Sequence, residues 1–276
     1  MSIYRDYYKT VEQYHRVTEE SHKNQVFGAD LLFPYLAAST KRVLDVAGGT
    51  GFNAEFLRIA AVNYFCVDLS FLGLRTVKER DRGNAIQADA AQLPLRNNSV
   101  DMVLCSWSLE HFPNPRQILE EMVRVVRPHG RVIIWGPNWD NIFRKDFPQL
   151  VHKTIMYRQK VRWRIFLRML ANEFSRFQYK PFTTLDVAAL ADPQHHLAYD
   201  SDAMHCVLCQ ETHKFFQQKE FTLIHMSDFS EMQAHVRNDI FIRIVRGTLK
   251  PFLPALKRMP LVRWFVIRFP IVVEKP

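Results

Sequence analysis

Short, largely apolar runs recur in the first half of the chain and alternate with stretches of helical spacing. These runs cover residues 43–46, 64–67, 102–106 and 131–136. A strand buried on both faces of a parallel sheet reads as such a run. Between them, residues 71–80 and 116–126 place apolar side chains three and four positions apart, as amphipathic helices do. This alternation predicts an α/β fold.

The remaining segments are mostly helical in pattern. Tyrosines and valines at helical spacing predict helices within residues 2–38, the second over Val26–Leu36, and Arg127–Gly130 reads as a turn. The later elements are predicted as helices over 152–170 and 200–218, a strand over 221–226 and a closing strand over 264–273 that Pro270 interrupts.

The predicted helix 152–170 has two different sides on a helical wheel. One side is apolar and the other basic, the apolar side carrying Ile155, Met156, Trp163, Phe166, Leu167 and Leu170. Such a helix can lie on an anionic membrane surface or grip an anionic substrate. It can equally pack on the core as a lid with a solvated basic face, and the sequence leaves these alternatives open.

A glycine turn joins the first predicted strand to a helix that starts near Asn53. Gly49, Gly51 and Ala54 fit the G-x-G-x-x-G/A fingerprint of dinucleotide-binding proteins. Asp45 argues against that ligand, because a carboxylate at the end of the strand would repel a pyrophosphate. The same carboxylate would suit a ligand that carries a net positive charge.

The segment from Asp45 to Gly51 resembles the first motif of class I S-adenosylmethionine-dependent methyltransferases, an acidic residue followed by G-x-G-x-G. Ala47 stands where that family usually has its first glycine. The resemblance, of the type 11 pattern, continues in order as far as Gly136. It implies a Rossmann-like, doubly wound, seven-stranded mixed sheet with N-terminal helices and a helical cap or lid.

The resemblance also implies which residues bind S-adenosylmethionine. Asp68 would accept from both ribose hydroxyls, Asp89 from the adenine amino group, and Ser106 would face the methionine end of the cofactor. The full predicted set is Asp45, Ala47, Gly49, Gly51, Asp68, Leu69, Asp89, Ala90, Ser106 and Trp107. A helix N-cap role for Asp68 and a surface turn for Asp89 are the structural alternatives.

Methyl transfer needs a general base only when the acceptor must lose a proton. His111 is the first candidate and Glu110 the second, since both follow the strand that ends beside the transferred methyl group. The alternative for His111 is a hydrogen bond to the lid. No metal is expected: Cys206, Cys209 and His213 would share one helical face, but a structural zinc site rarely takes three ligands from one helix.

Composition limits the class of protein and its surroundings. The chain has 276 residues, of which 47% are hydrophobic and 13% aromatic, as in a globular protein. Residues 1–9 contain no apolar run, so no signal peptide is expected, and the four cysteines are too few for a disulfide framework. We interpret the chain as a cytoplasmic protein, with a peripheral position at a membrane as the alternative.

The positive charge lies in one half of the chain. Residues 1–140 contain 16 Lys and Arg and 16 Asp and Glu, whereas residues 141–276 contain 21 and 12, which accounts for the whole net charge of +9. The predicted division is cap helices over 1–40, a cofactor-binding core over 41–136, a lid over 137–200 and the end of the core sheet, with a basic insertion, over 201–276.

The resulting functional hypothesis is methyl transfer to a small acceptor that is anionic or linked to a lipid or glycan. An RNA or protein methyltransferase is the alternative that the basic second half suggests. Nucleic acid is the less favoured partner, because the segment after Ser106 lacks the N-P-P-[FY] motif common in RNA enzymes of this fold. A non-catalytic cofactor-binding protein is the least favoured alternative.

Overall fold

The computed structural model describes residues 33–57, 62–137, 154–174, 183–184, 204–226 and 268–276. Residues 1–32, which include most of the predicted leading helices, lie outside that part of the chain. So do residues 138–153, 175–182 and 185–203, which include more than half of the predicted lid, and residues 58–61 and 227–267.

The described elements alternate strand and helix from the first strand onward. In chain order they are β1 Arg42–Val46, α1 Asn53–Leu57, β2 Asn63–Asp68, α2 Phe71–Glu79, β3 Asn84–Gln87, β4 Val100–Ser106, α3 Pro115–Val125, β5 Val126–Pro137, α4 Ile155–Phe174, β6 Thr183–Thr184, β7 His205–Cys206, α5 Cys209–Gln217, β8 Thr222–Met226 and β9 Arg268–Glu274. Short 3-10 turns occupy Phe33–Tyr35 and Leu109–His111. None of the described helices is long and apolar enough to cross a membrane.

Seven of these strands form one mixed sheet in the order β3-β2-β1-β4-β5-β9-β8. Strands β1 to β5 pair in parallel, and β9 runs antiparallel to both β5 and β8. The strand order reverses between β1 and β4, and open α/β sheets bind ligands at the carboxyl ends of the strands beside such a reversal. The predicted doubly wound, seven-stranded mixed sheet is confirmed.

Each face of the sheet is covered by its own apolar core. In β1, Val43 belongs to one core and Leu44 to the other, because successive strand side chains point to opposite faces. Helices α1 and α2 cover the face of Val43 through residues such as Leu57 and Leu74. Helices α3, α4 and α5 cover the opposite face. This double burial explains why the strands read as continuous apolar runs.

Local sequence signals explain where two helices begin. The Ser70 hydroxyl accepts a hydrogen bond from Gly73 N–H at 3.3 Å and caps α2. The Asn114 side chain accepts from Gln117 N–H at 3.3 Å, and Pro115 takes the first turn of α3, where a missing N–H costs nothing. The N-cap of α2 is thus Ser70, and Asp68 is left for another role.

The predicted helix over residues 200–218 is wrong over residues 204–208, and residues 200–203 lie outside the described part of the chain. His205–Cys206 is a strand that pairs with Thr183–Thr184, and the helix starts only at Cys209. Residues 204–208 are all buried, as in an extended segment inside the fold, whereas an amphipathic helix would expose one of its faces. Cys206 and Cys209 therefore do not share a helical face.

Two smaller predictions are also corrected. The expected turn at Arg127–Gly130 is a bulge within β5, in which His129 has a φ of 58° and the register against β4 shifts between Val100 and Met102. Hydrogen bonds with Lys275 hold the bulge in the sheet. In the predicted helix Val26–Leu36, the described residues Phe33–Tyr35 form a single 3-10 turn.

Helix α4 buries a different stripe from the one that its apolar side suggested. Val161, Ile165 and Met169, spaced four residues apart, pack into the core beside α5. Arg168 also donates a hydrogen bond to the fully buried Glu211 of α5, which ties the two helices together. Of the residues on the predicted apolar side, Ile155, Met156, Trp163 and Leu167 are exposed, and Phe166 and Leu170 are half-buried.

Candidate active site

Three neighbouring strands end at the reversal of strand order and bring most of the predicted site residues together. Strand β1 lies between β2 and β4, and Asp68 and Ser106 are the last residues of these two neighbours. Asp45 pairs with Cys66 on one side and with Leu104 on the other. The carboxyl ends of parallel strands meet at one edge, so these side chains surround the glycine turn.

Asp45 is fully buried in a polar cluster. The Tyr64 hydroxyl donates to Asp45 Oδ2, and Asn53 Nδ2 donates to the same oxygen at 2.8 Å and to Ser106 Oγ at 3.0 Å. Burial raises the pKa of Asp45 to about 6, although the hydrogen bonds from Tyr64 and Asn53 oppose the rise. Among the described residues, Oδ1 has no hydrogen-bond partner.

Tyr64 and Asn53 were not predicted as site residues. Tyr64 lies in an apolar strand and reads as a core aromatic residue, while Asn53 reads as an ordinary polar residue at the start of a helix. Only the parallel pairing of β1 with β2, and the turn that brings α1 back over β1, place both beside Asp45. A sequence signal for this contact is therefore absent.

The turn after β1 uses left-handed backbone at Ala47, Gly49 and Gly51, with φ values of 54°, 56° and 69°. Among the described residues, a Cβ on Gly49 would meet no atom within 4 Å, whereas one on Gly51 would lie 2.8 Å from Val77 Cγ2. Gly51 therefore permits close packing against α2, and Gly49 faces open space. Ala47 adopts a conformation that favours glycine, the residue usual in the family at that position.

Asp68 is held at the edge of this turn by two backbone donors. Its Oδ2 accepts from Gly49 N–H and its Oδ1 from Ser70 N–H, both at 2.8 Å. Each carboxylate oxygen has a second lone pair and can accept a further hydrogen bond. Leu69, the next residue, accepts from Gln87 Nε2 through its carbonyl at 3.2 Å. The carboxylate is thus oriented by the backbone before any ligand binds.

Asp89 is the second residue of the loop that follows β3, beside the end of β2. Ala88 N–H donates to the Asp68 carbonyl at 3.0 Å, and the Asp89 carboxylate accepts from Ala91 N–H at 2.9 Å. The local turn expected as the structural alternative for Asp89 is therefore present. Ala90 is buried in the core, with 6% of its surface exposed.

The exit of β4 is joined to the exit of β1. Ser108 Oγ donates to the carbonyl of Ser106 at 2.6 Å and lies 3.3 Å from that of Ala47. Trp107 has a φ of 51°, which is unusual for a bulky residue, and its N–H donates to Trp135 O at 2.8 Å. Strained backbone of this kind concentrates at functional sites.

Glu110 and His111 follow in a 3-10 turn and are both buried. His111 Nε2 lies 3.9 Å from Glu110 Oε1, and a Cβ on Gly136 would lie 3.6 Å from Glu110 Oε2. The carboxylate therefore covers the carboxyl end of β5. Glu110 also accepts a backbone hydrogen bond from Met204 at 2.8 Å, which ties the turn to the segment before β7.

The arrangement fits the cofactor that the resemblance implied. A buried carboxylate oxygen without a partner, at Asp45, suits a cationic group, and the space beyond Gly49 admits a ligand close to the backbone. A group of three or more metal-ligating side chains is not found among the described residues. The four cysteines are all buried.

Comparison with known proteins agrees with this geometry. A family model described as a methyltransferase domain matches residues 44–134. A demethylmenaquinone methyltransferase from Paenarthrobacter aurescens is 38% identical over 111 residues, which cover 37% of this chain and 44% of the relative. A ubiquinone/menaquinone biosynthesis C-methyltransferase from Haemophilus ducreyi is 36% identical over 104 residues, or 34% and 40% of the two chains. The chain thus spans less than half the length of these relatives.

A solved structure matches over most of the chain. It is a SAM-dependent methyltransferase from Aquifex aeolicus, with a TM-score of 0.52 and 11% identity, covering 97% of this chain and all of that one. This likeness confirms the fold. The domain match bears out the predicted methyltransferase core over residues 44–134, and S-adenosylmethionine as the cofactor of that core agrees with it.

Proposed function

We propose that this protein, whose residues 44–134 belong to the class I S-adenosylmethionine-dependent methyltransferase family, methylates a small lipid-linked acceptor. The observation that carries the proposal is the buried Asp45 carboxylate near the end of β1, one oxygen of which has no hydrogen-bond partner among the described residues, followed by a turn whose Gly49 faces open space. When bound, the cofactor supplies a methyl group that its sulfonium already activates.

The site residues then have separate tasks. Asp45 offers negative charge to the cationic end of the cofactor, and Asp68 accepts from the ribose hydroxyls. Asp89, with the backbone N–H of Ala90, binds the adenine. The exit of β4 at Ser106 and Trp107 borders the methionine end. Because each group is positioned by backbone or buried contacts, little ordering is required when the cofactor binds.

His111 is proposed as the general base and Glu110 as the residue that orients it. The pair is buried next to the strand exit, and the 3.9 Å between His111 Nε2 and Glu110 Oε1 lets the carboxylate stabilise a protonated imidazole. The imidazole accepts the proton that the acceptor loses during transfer. A carboxylate at this distance favours the charged form of the ring after the proton arrives.

A lipid-linked acceptor is favoured by two observations. The two relatives are named as quinone methyltransferases, although their similarity covers the cofactor-binding core. The second observation is the outer α4 face, defined by Met156, Lys160, Trp163, Arg164 and Leu167. It lies opposite the buried stripe of the same helix.

The outer α4 face has the composition of a membrane-contacting surface. Met156, Trp163 and Leu167 are 83%, 62% and 59% exposed, and the neighbouring Lys160 and Arg164 are also exposed. Apolar side chains flanked by cations bind the headgroup region of an anionic bilayer. We therefore propose that this face contacts an anionic membrane surface from which the acceptor is reached.

The first test of the function is calorimetric titration of the full chain with S-adenosylmethionine, then of Asp68→Ala and Asp89→Ala. We expect micromolar binding by the wild type and losses of at least about tenfold in each variant, since each removes a charge-assisted hydrogen bond. Absence of binding by the wild type would overturn the proposal.

Turnover is then measured with methyl-labelled S-adenosylmethionine and a short-chain demethylmenaquinol as the probe acceptor. His111→Gln should lower kcat by about 10²-fold or more, the usual contribution of a general base, with cofactor affinity unchanged. An equal loss of cofactor affinity and rate would show that His111 supports the pocket and is not the base. Failure of the quinol alone, with cofactor binding intact, would reject this acceptor class.

A further inference from the structure

The hydrogen bonds to Asp45 are unusually one-sided. Tyr64 from β2 and Asn53 from α1 both donate to Oδ2, whereas Oδ1 has no partner among the described residues. Asp45 is 0% and Tyr64 4% exposed, so neither group is compensated by solvent. A buried carboxylate oxygen without a donor is costly, and a fold retains one where a ligand completes it.

The backbone of the glycine turn also packs closely against the Asp45 carboxylate. A Cβ on Gly48 would lie 2.9 Å from Asp45 Cγ and 2.7 Å from Cys66 Sγ, so only a glycine fits over the group. Asn53 extends the cluster by donating to Ser106 Oγ at 3.0 Å. The donors from β2 and α1, together with the close backbone of Gly48, hold the carboxylate in one orientation.

We infer that Tyr64 and Asn53 are positioning residues for the cofactor, which hold Asp45 through one oxygen so that the other, ionised and correctly oriented, receives the cationic end of S-adenosylmethionine. This inference rests on the proposed cofactor binding and deepens it. Neither residue touches the reacting atoms. Both act through Asp45.

The electrostatic surroundings explain why the two donors are needed. The titratable groups that face Asp45 are Tyr64, Cys66, Asp68 and Cys105. Burial keeps the pKa of each thiol and of the phenol well above its ordinary value, so Tyr64 remains a donor at neutral pH. The charge of Asp68 opposes ionisation of Asp45, and the two hydrogen bonds favour it.

The test compares S-adenosylmethionine affinity of the wild type and of Tyr64→Phe by calorimetry between pH 5.5 and 8.5. Wild-type affinity should fall as Asp45 protonates, with its pKa at about 6. Loss of the hydroxyl raises that pKa by about one unit. The ratio of wild-type to Tyr64→Phe affinity for S-adenosylmethionine, which we call the wild-type advantage, should therefore increase about fivefold from pH 8.5 to pH 6. The ratio cancels any titration of the cofactor itself.

Two controls separate positioning from general damage. The probe 5′-methylthioadenosine lacks the charged amino-acid end, so wild type and Tyr64→Phe should bind it equally at every pH. Asn53→Ala removes the other donor and should show the same widening, which keeps the test available if Tyr64→Phe does not fold.

The outcomes are distinguishable. A wild-type advantage that does not change with pH, or an equal loss of 5′-methylthioadenosine affinity, would overturn the positioning role while leaving the proposed function intact. A wild type that binds neither ligand at any pH would overturn the proposed function, and the positioning role with it.

Discussion

At the scale of single residues, the ionised form of Asp45 lowers the stability of the ligand-free protein and is the form proposed to bind the cofactor. Burial raises its pKa from 3.8 to about 6. A group whose folded-state pKa is raised contributes stability that is fully present below the unfolded value and is lost as the pH rises through the folded value. For Asp45 this stability is lost between about pH 4 and about pH 6, so the ionised carboxylate has its full destabilising effect at neutral pH.

Asp45→Asn should therefore stabilise the ligand-free protein. At pH 7.5 we expect a gain of up to about 3 kcal/mol, the equivalent of a shift of about two pKa units, and almost no gain near pH 4. Cofactor affinity should fall at least about tenfold, because the charge is lost. Thermal denaturation at both pH values, with and without S-adenosylmethionine, measures both effects.

Asp81→Asn is the matched control, because Asp81 is exposed and asparagine tolerates its φ of 50°. It should show no stabilisation that grows with pH. A lower stability of Asp45→Asn than of the wild type at pH 7.5 would contradict the assignment of a buried, ionised carboxylate that destabilises the ligand-free protein.

The residue scale also marks a limit of sequence interpretation. Asp45, Asp68 and Asp89 were identified because strand ends and family motifs single them out. Their partners Tyr64 and Asn53 were not, since a tyrosine within an apolar strand reads as core. The left-handed backbone of Trp107 likewise had no sequence signal, because it arises from a hydrogen bond to β5.

At the scale of elements, the glycine turn acts through two different glycines. Gly49 and Gly51 both have positive φ, but of the two only a Cβ added at Gly51 would meet another described element, at Val77 of α2. Gly51 is thus required for packing, and Gly49 for space beside the ligand. Alanine at each position should separate these roles.

Gly49→Ala should lose about 1–2 kcal/mol of stability from backbone strain and at least about tenfold in cofactor affinity. Gly51→Ala should lose more stability, about 2–4 kcal/mol, because its Cβ also overlaps Val77. Denaturant unfolding and calorimetry measure the two quantities.

A double-mutant cycle with Val77→Ala provides the control. In that background the added cost of Gly51→Ala should drop to that of Gly49→Ala, because only the strain remains. An unchanged cost would show that the contact with α2 does not explain the requirement for glycine.

Helix α4 shows what an element's own pattern leaves undecided. The wheel distinguished its apolar and basic sides, yet the core took the stripe of Val161, Ile165 and Met169. A helix with apolar residues on two sides does not specify which side packs. The partner decided it: α5 supplies the apolar surface and the buried Glu211 that pairs with Arg168.

At the scale of the whole molecule, the basic second half and the outer α4 face both support the proposed contact with an anionic membrane surface. The net charge of +9 comes from residues 141–276, and α4 presents Lys160 and Arg164 beside exposed apolar side chains. Attraction to an anionic bilayer is screened by salt, while apolar insertion is not. Membrane binding should therefore have one part that weakens with salt and one part that does not.

The full chain should sediment with vesicles that contain phosphatidylglycerol at low salt, and much less with phosphatidylcholine alone. Lys160→Glu with Arg164→Glu should weaken binding at least about tenfold, since each cation near the surface contributes about 1 kcal/mol. Trp163→Ala with Leu167→Ala should weaken the part of binding that survives high salt.

The control is Arg80→Glu with Arg96→Glu, which makes the same charge change at exposed positions outside α4. It should retain most of the vesicle binding. Equal losses in both double variants would indicate a net-charge effect, and no binding to either vesicle would reject the membrane contact.

The amino-acid sequence by itself determined the α/β class, the glycine turn and the acidic residues at the strand ends, because these follow from local periodicity, backbone requirements and order along the chain. Tertiary structure decided the rest. Strand pairing brought Tyr64 to Asp45, burial made residues 204–208 an extended segment where a helix was predicted, and packing on α5 decided which face of α4 is buried. Such outcomes depend on which surfaces meet, and a contact between distant segments leaves no periodic trace in either of them.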